Sequence, residues 1–125
     1  MIKREEFEAY KVIVESKETR EILLGVNPDG ISKLGAEMSA YYARLSNELA
    51  VVKDEIMTEF LRLTAEPLDG SKPLAATRAE KMAEAISNGQ RQVSRREIEY
   101  LRDALDKIGF ACSARCRAFN KEGFF

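Results

Sequence analysis

The chain contains no histidine, so any chemistry must come from its carboxylates, two cysteines, lysines and arginines. There is no glycine-rich phosphate loop, and no nucleophile has a base at readable spacing. A carboxylate-bridged metal centre in a helical bundle uses Glu-x-x-His pairs, which this sequence cannot supply. Glu37, Glu48, Asp54, Glu55 and Glu59 have basic neighbours or fall on solvent faces of a helical pattern. Cys112 and Cys116 sit four apart on one face of a predicted helix, where a disulfide would distort the backbone and zinc would lack further ligands. They read as small core residues. The expectation is a protein that is not an enzyme and carries neither metal nor cofactor.

What remains is positive charge. Residues 1–71 hold 9 basic and 14 acidic side chains, a balance of −5, whereas residues 72–125 hold 11 and 7, a balance of +4. Between Glu84 and Glu97 the charges are Arg91, Arg95 and Arg96 alone. With Lys72, Arg78, Lys81 and Arg102 they form the candidate nucleic-acid-binding set. On one continuous helix Lys81, Arg91, Arg95, Arg102 and Arg117 would fall within about 80° of arc beside the apolar stripe. Such a row can track a phosphate backbone by displacing condensed counterions. Arg95–Glu99 and Arg102–Asp106 are also i,i+4 pairs, and such pairs would make the same row an ordinary solvated face. Tyr41 lies on an apolar stripe and reads as core, while Tyr42, at its edge, is a candidate for base stacking.

The elements that must position these residues are helices. Ile31, Leu34, Met38, Tyr41, Leu45, Leu49, Val52, Ile56, Phe60 and Leu63 recur at steps of three and four, which is the helical period. This predicts a first long helix over 31–66, on the order of 50 Å long. A second long helix is predicted over 74–119, with Asn88-Gly89 as the point where it kinks or divides, since glycine costs about 1 kcal/mol against alanine there. Its apolar side includes Tyr100, Leu101, Ala104, Leu105, Ile108, Ala111, Cys112 and Phe119. The alanine-rich stretch Ala75–Ala85 should pack closely against Phe60 and Leu63. A shorter N-terminal helix is predicted over 3–24, with the β-branched Val12-Ile13-Val14 leaving a short strand open. Asn27-Pro28-Asp29-Gly30 reads as a turn, and 67–73, with two prolines and a glycine, as a loop. Phe124 and Phe125 could dock the C-terminal tail on a neighbour.

Two long helices on a short connection must lie antiparallel to bury their stripes. The fold class is therefore all-α: one domain, 1–125, built on a long antiparallel helical hairpin with a shorter N-terminal helix. Such a hairpin covers little of its own apolar surface, so self-association into a homo-oligomer is expected. The 45% apolar content contains no run of about 18 apolar residues, and the start, MIKREEFE, has no signal-peptide core. The expected location is the cytosol, with no membrane partner.

The order of parts carries a resemblance. A helix opens Lys33-Leu34-Gly35-Ala36-Glu37 and runs through Tyr41-Tyr42-Ala43-Arg44-Leu45 to Lys53-Asp54-Glu55-Ile56. A glycine-containing loop and a helix spanning Tyr100-Leu101-Arg102-Asp103-Ala104-Leu105-Asp106-Lys107-Ile108 follow. Over about residues 31–119 this resembles the UvsY-type recombination mediators of phages and related small helical phage proteins encoded near recombination genes. The resemblance implies a hairpin protomer in a ring-like oligomer that binds single-stranded DNA. It also implies help to a RecA-like recombinase in displacing single-strand-binding protein, in the host cytoplasm. In that family basic residues around the hairpin contact DNA. Here residues 56–70 hold only Arg62, so the candidate set rests on charge pattern and not on matched family positions. The rival expectation is a helical interaction module, or a small inhibitor clasping a host or phage enzyme, without DNA binding.

Overall fold

The apolar repeat from Ile31 to Leu63 winds into a single helix of 37 residues, Pro28–Thr64, about 55 Å long. The computed structural model describes residues 1–65 and 72–121. Among these it is all-α: α1 (Arg4–Glu15), α2 (Lys17–Leu24), α3 (Pro28–Thr64), α4 (Ala76–Gly89) and α5 (Arg95–Lys121). Most of the loop expected over 67–73 lies outside the described residues, as do Phe124 and Phe125. No described helix is long and apolar enough to cross a membrane.

Asn27-Pro28-Asp29-Gly30 is not a separate turn but the start of α3. The Asn27 side chain accepts from the Gly30 N–H at 3.3 Å. Proline opens the helix with its φ already set, and Asp29 complements the positive end of the dipole. The N-terminal segment is helical through Val12-Ile13-Val14 but divides at Ser16. There the backbone turns extended, and the Ser16 hydroxyl accepts from the Glu18 and Thr19 N–H groups that start α2.

α3 is the axis of the fold. α5 packs along its first half and α4 along its second, both antiparallel to it, and the Leu74 N–H returning to the Leu63 carbonyl at 3.4 Å marks the reversal. The stretch over 74–119 is therefore two helices. The break falls at 90–94: the Gln90 and Arg91 N–H groups close back on Ser87 and Asn88, and the Ser94 hydroxyl accepts from the Glu97 N–H at 3.3 Å. Ser94-x-x-Glu97 has the spacing of a capping box, which starts α5 with its own phase.

α1 and α2 run beside α5 in the same direction, tied at one end by Arg4 to Glu97 and at the other by Arg115 Nη2 to the Gly25 carbonyl at 2.5 Å. One core results, from Phe7, Ile31, Leu34, Met38, Leu45, Leu49, Val52, Ile98, Leu101, Leu105 and Cys112, with Ile2 and Val93 closing the end beside the break. α3 and α5 approach so closely that a Cβ on Gly35 would lie 3.2 Å from the Cys112 Cβ. Ala79 and Ala83 of α4 are fully buried, which lets α4 lie close to α3. Cys112 and Cys116 are free thiols, and burial, then Cys116, pushes the Cys112 thiol up.

Candidate nucleic-acid interface

The break at 90–94 removes the common helical phase on which the row from Lys81 to Arg117 depended, and the seven candidates divide into three groups. Arg91 is interior. Its side chain is 0% exposed, its Nη2 donates to Glu48, and its Nη1 reaches Glu55 at 3.2 Å. A buried guanidinium holding two carboxylates has no face to offer a phosphate. It closes an ion network that pins four segments together. Glu48, only 3% exposed, also accepts from the Ile2 N–H at 3.0 Å and from Arg44 at 3.4 Å. Burial alone would raise the Glu48 carboxyl. The Ile2 N–H and the Arg91 charge outweigh it, and its pKa lies below the ordinary carboxylate value.

Arg44 extends the network to Glu6 at 3.0 Å. Glu6 is held low first by the Tyr10 hydroxyl, 2.6 Å away, and then by Arg44 against the cost of burial. Tyr10 stacks on Tyr41 with centroids 4.3 Å apart, which occupies one face of Tyr41 inside the protein, and the Tyr41 hydroxyl donates to Glu37 at 2.5 Å.

Arg95 and Arg102 form the second group, on the side of α5 away from α1. Arg95 Nε donates to Glu99 at 3.0 Å, the i,i+4 pair expected from spacing. Arg102 does not reach Asp106. It meets Asp103 at 3.5 Å and lies over the Tyr42 ring, 6.0 Å from its centroid. Both are partly buried and already matched.

The third group faces solvent. Lys72, Arg78 and Lys81 are exposed and pair with no carboxylate among the described residues. Arg78 and Lys81 lie on the side of α4 away from the buried Ala79 and Ala83. Arg96 is 87% exposed, its one carboxylate contact among the described residues being Glu84 of α4 at 3.8 Å. That contact brings the start of α5 to within a turn of Lys81 along α4. An exposed ion pair of this length contributes little and yields readily to a phosphate. The four are spread from before α4 (Lys72) along its outer side (Arg78, Lys81) to the start of α5 (Arg96), a basic edge interrupted by Glu80 and Glu84.

The sequence pattern placed Tyr100 on the apolar side, yet Tyr100 is 73% exposed. The buried residues of α5, Ile98, Leu101, Leu105 and Cys112, keep to steps of three, four and seven, and Tyr100 falls out of that phase. That phase was the signal in the sequence. Among the described residues no group of three or more carboxylate or thiol side chains is arranged to hold a metal ion. Set against known proteins, the chain matches no family model, no curated protein and no solved structure.

Proposed function

We propose that the protein is a non-catalytic accessory factor of phage-type recombination. It binds single-stranded DNA as a homo-oligomer in the cytosol and assists a RecA-like recombinase against single-strand-binding protein. The observation that carries this reading is the basic edge: Lys72, Arg78, Lys81 and Arg96 are exposed along the length of α4 and at the start of α5, while the remaining candidates are engaged internally. The resemblance over residues 31–119 supplies the biological setting. Charge reversal of Arg78, Lys81 and Arg96 to glutamate should abolish retention of a labelled oligonucleotide at low salt, with the melting temperature unchanged. Equal retention by the triple variant overturns the assignment of the edge.

A second reading is favoured by a separate feature. Met57 and Leu61 of α3 are exposed large apolar side chains, and Met57 lines a groove with Lys53, Ile56, Phe60, Glu80, Glu84 and Arg95. An apolar floor with charges of both signs at its rim suits a protein helix. In the mediator reading this surface buries itself against another copy. In the interaction-module reading it takes a host or phage enzyme and DNA has no part. Sedimentation velocity separates them: Met57→Glu with Leu61→Glu should reduce an oligomer to monomer in the first case. A wild-type monomer that retains one stoichiometric partner and no oligonucleotide supports the second.

A further inference from the structure

We infer that the groove between α1 and α5 is a nucleobase-stacking subsite, with Tyr100 as the platform and Lys11 and Arg96 as the flanking phosphate contacts. The inference rests on the single-stranded DNA reading and adds to it a place where bases, not only phosphates, are held.

The groove is shallow, about 250 Å³, and is lined by Phe7, Lys11, Arg96, Glu97, Tyr100 and Leu101. Phe7 and Leu101 are buried and form an apolar floor. Tyr100 stands at the rim, and its ring pairs with no other aromatic ring and its hydroxyl bonds to no partner among the described residues. An exposed tyrosine ring on a rigid helix presents a π-face to any base with little ordering cost. Two cations flank it. Arg4 is shared between Glu97 and Glu8, 3.4 Å from the latter, so its single charge offsets one of the two carboxylates. Lys11 contacts no carboxylate among the described residues, and Arg96 has only its long contact to Glu84. Arg96 belongs to the basic edge as well, so a strand lying along α4 reaches Tyr100 one helical turn further on.

Tyr42 is the weaker platform. It is covered on one side by Arg102, whose charge is matched by Asp103, and Asp106 lines the same face. A polyanion meets carboxylates there instead of free cations.

The chain has no tryptophan, so Tyr100→Trp places a single tryptophan in the subsite, excited selectively over the three remaining tyrosines. Its emission should be quenched by an oligothymidylate and unaffected by an abasic strand of equal length. In anisotropy titrations Tyr100→Ala should weaken oligothymidylate binding roughly tenfold without changing the salt slope, because the ring carries no charge. Lys11→Gln and Arg96→Gln should each lower that slope by about 0.7. Because Tyr100 is largely exposed, both Tyr100 variants should melt as the wild type does. Wild-type affinity in Tyr100→Ala, or equal affinity for abasic and base-bearing strands, overturns the subsite and leaves DNA binding standing. No binding of any strand by the wild type at low salt overturns both.

Discussion

Glu48 meets the Ile2 N–H, Arg44 and Arg91 in the interior, and its removal tests that interior directly. Glu48→Ala leaves Arg91 buried against Glu55 alone, and stranding a buried charge costs about 3–5 kcal/mol. Urea denaturation should show a midpoint lowered to match. The same network sets the dependence on pH. The folded pKa values of Glu48, Glu6 and Glu97 lie below the ordinary 4.5. Their stabilisation is present above pH 4.5 and is lost as acid protonates them. Tyr10 and Tyr41 are pushed up from 10.0 to about 12, Tyr10 first by burial and Tyr41 first by its hydrogen bond to Glu37. Their contribution is present below pH 10 and is lost as pH rises toward 12. Stability should therefore hold level between these limits and fall on both sides, as thermal melts across pH would show. Glu48 was legible in part, since it stands three residues after Leu45 and four before Val52, inside the buried stripe. That its partner is Arg91, 43 positions away, depends on how α4 and α5 meet and has no local signal.

At the scale of elements, hydrophobic period governs where it is long and capping governs where it is short. α3 follows from its ten-position stripe because every turn repeats the same instruction. The division of 74–119 was legible as a weak point at Asn88-Gly89, but its extent was not, because Ser94 and Glu97, which restart the helix, are residue types that also occur on the polar face of a continuous one. Asn27-Pro28 shows the same ambiguity: the residues that initiate turns also initiate helices, and the stripe that follows decides between them. Two glycines separate these roles. A Cβ at Gly89 would meet no atom within 4 Å, so Gly89→Ala should stabilise by about 0.5 kcal/mol through reduced unfolded-state entropy. Gly35 faces Cys112 at close range. Gly35→Leu must force α3 from α5 and should cost about 1–3 kcal/mol. Denaturation midpoints moving in opposite directions are the expected signature.

For the molecule as a whole, the division of charge in the sequence becomes a division of surfaces. The basic excess of residues 72–125 does not form the single stripe that one continuous helix would have made. Arg91 is withdrawn into the core, Arg95 and Arg102 are matched on one side, and Lys72, Arg78, Lys81 and Arg96 remain exposed from the residues before α4 to the start of α5. The class of fold was therefore readable from periodicity, whereas the site was readable only as a list of residues whose grouping the break at 90–94 decides. The measurement that bears most directly on the function is the salt dependence of single-stranded oligonucleotide binding by the intact protein, followed by fluorescence anisotropy. Four phosphate contacts on the edge, with Lys11 as a fifth, give a slope of log affinity against log salt of roughly −3 to −3.5. A log-linear slope of that size, reduced in Arg78→Glu and Lys81→Glu but not in Arg102→Gln, is the expected result. Absence of binding at low salt, or binding indifferent to salt, would contradict it and leave the apolar edge of α3 as the surface through which the protein acts.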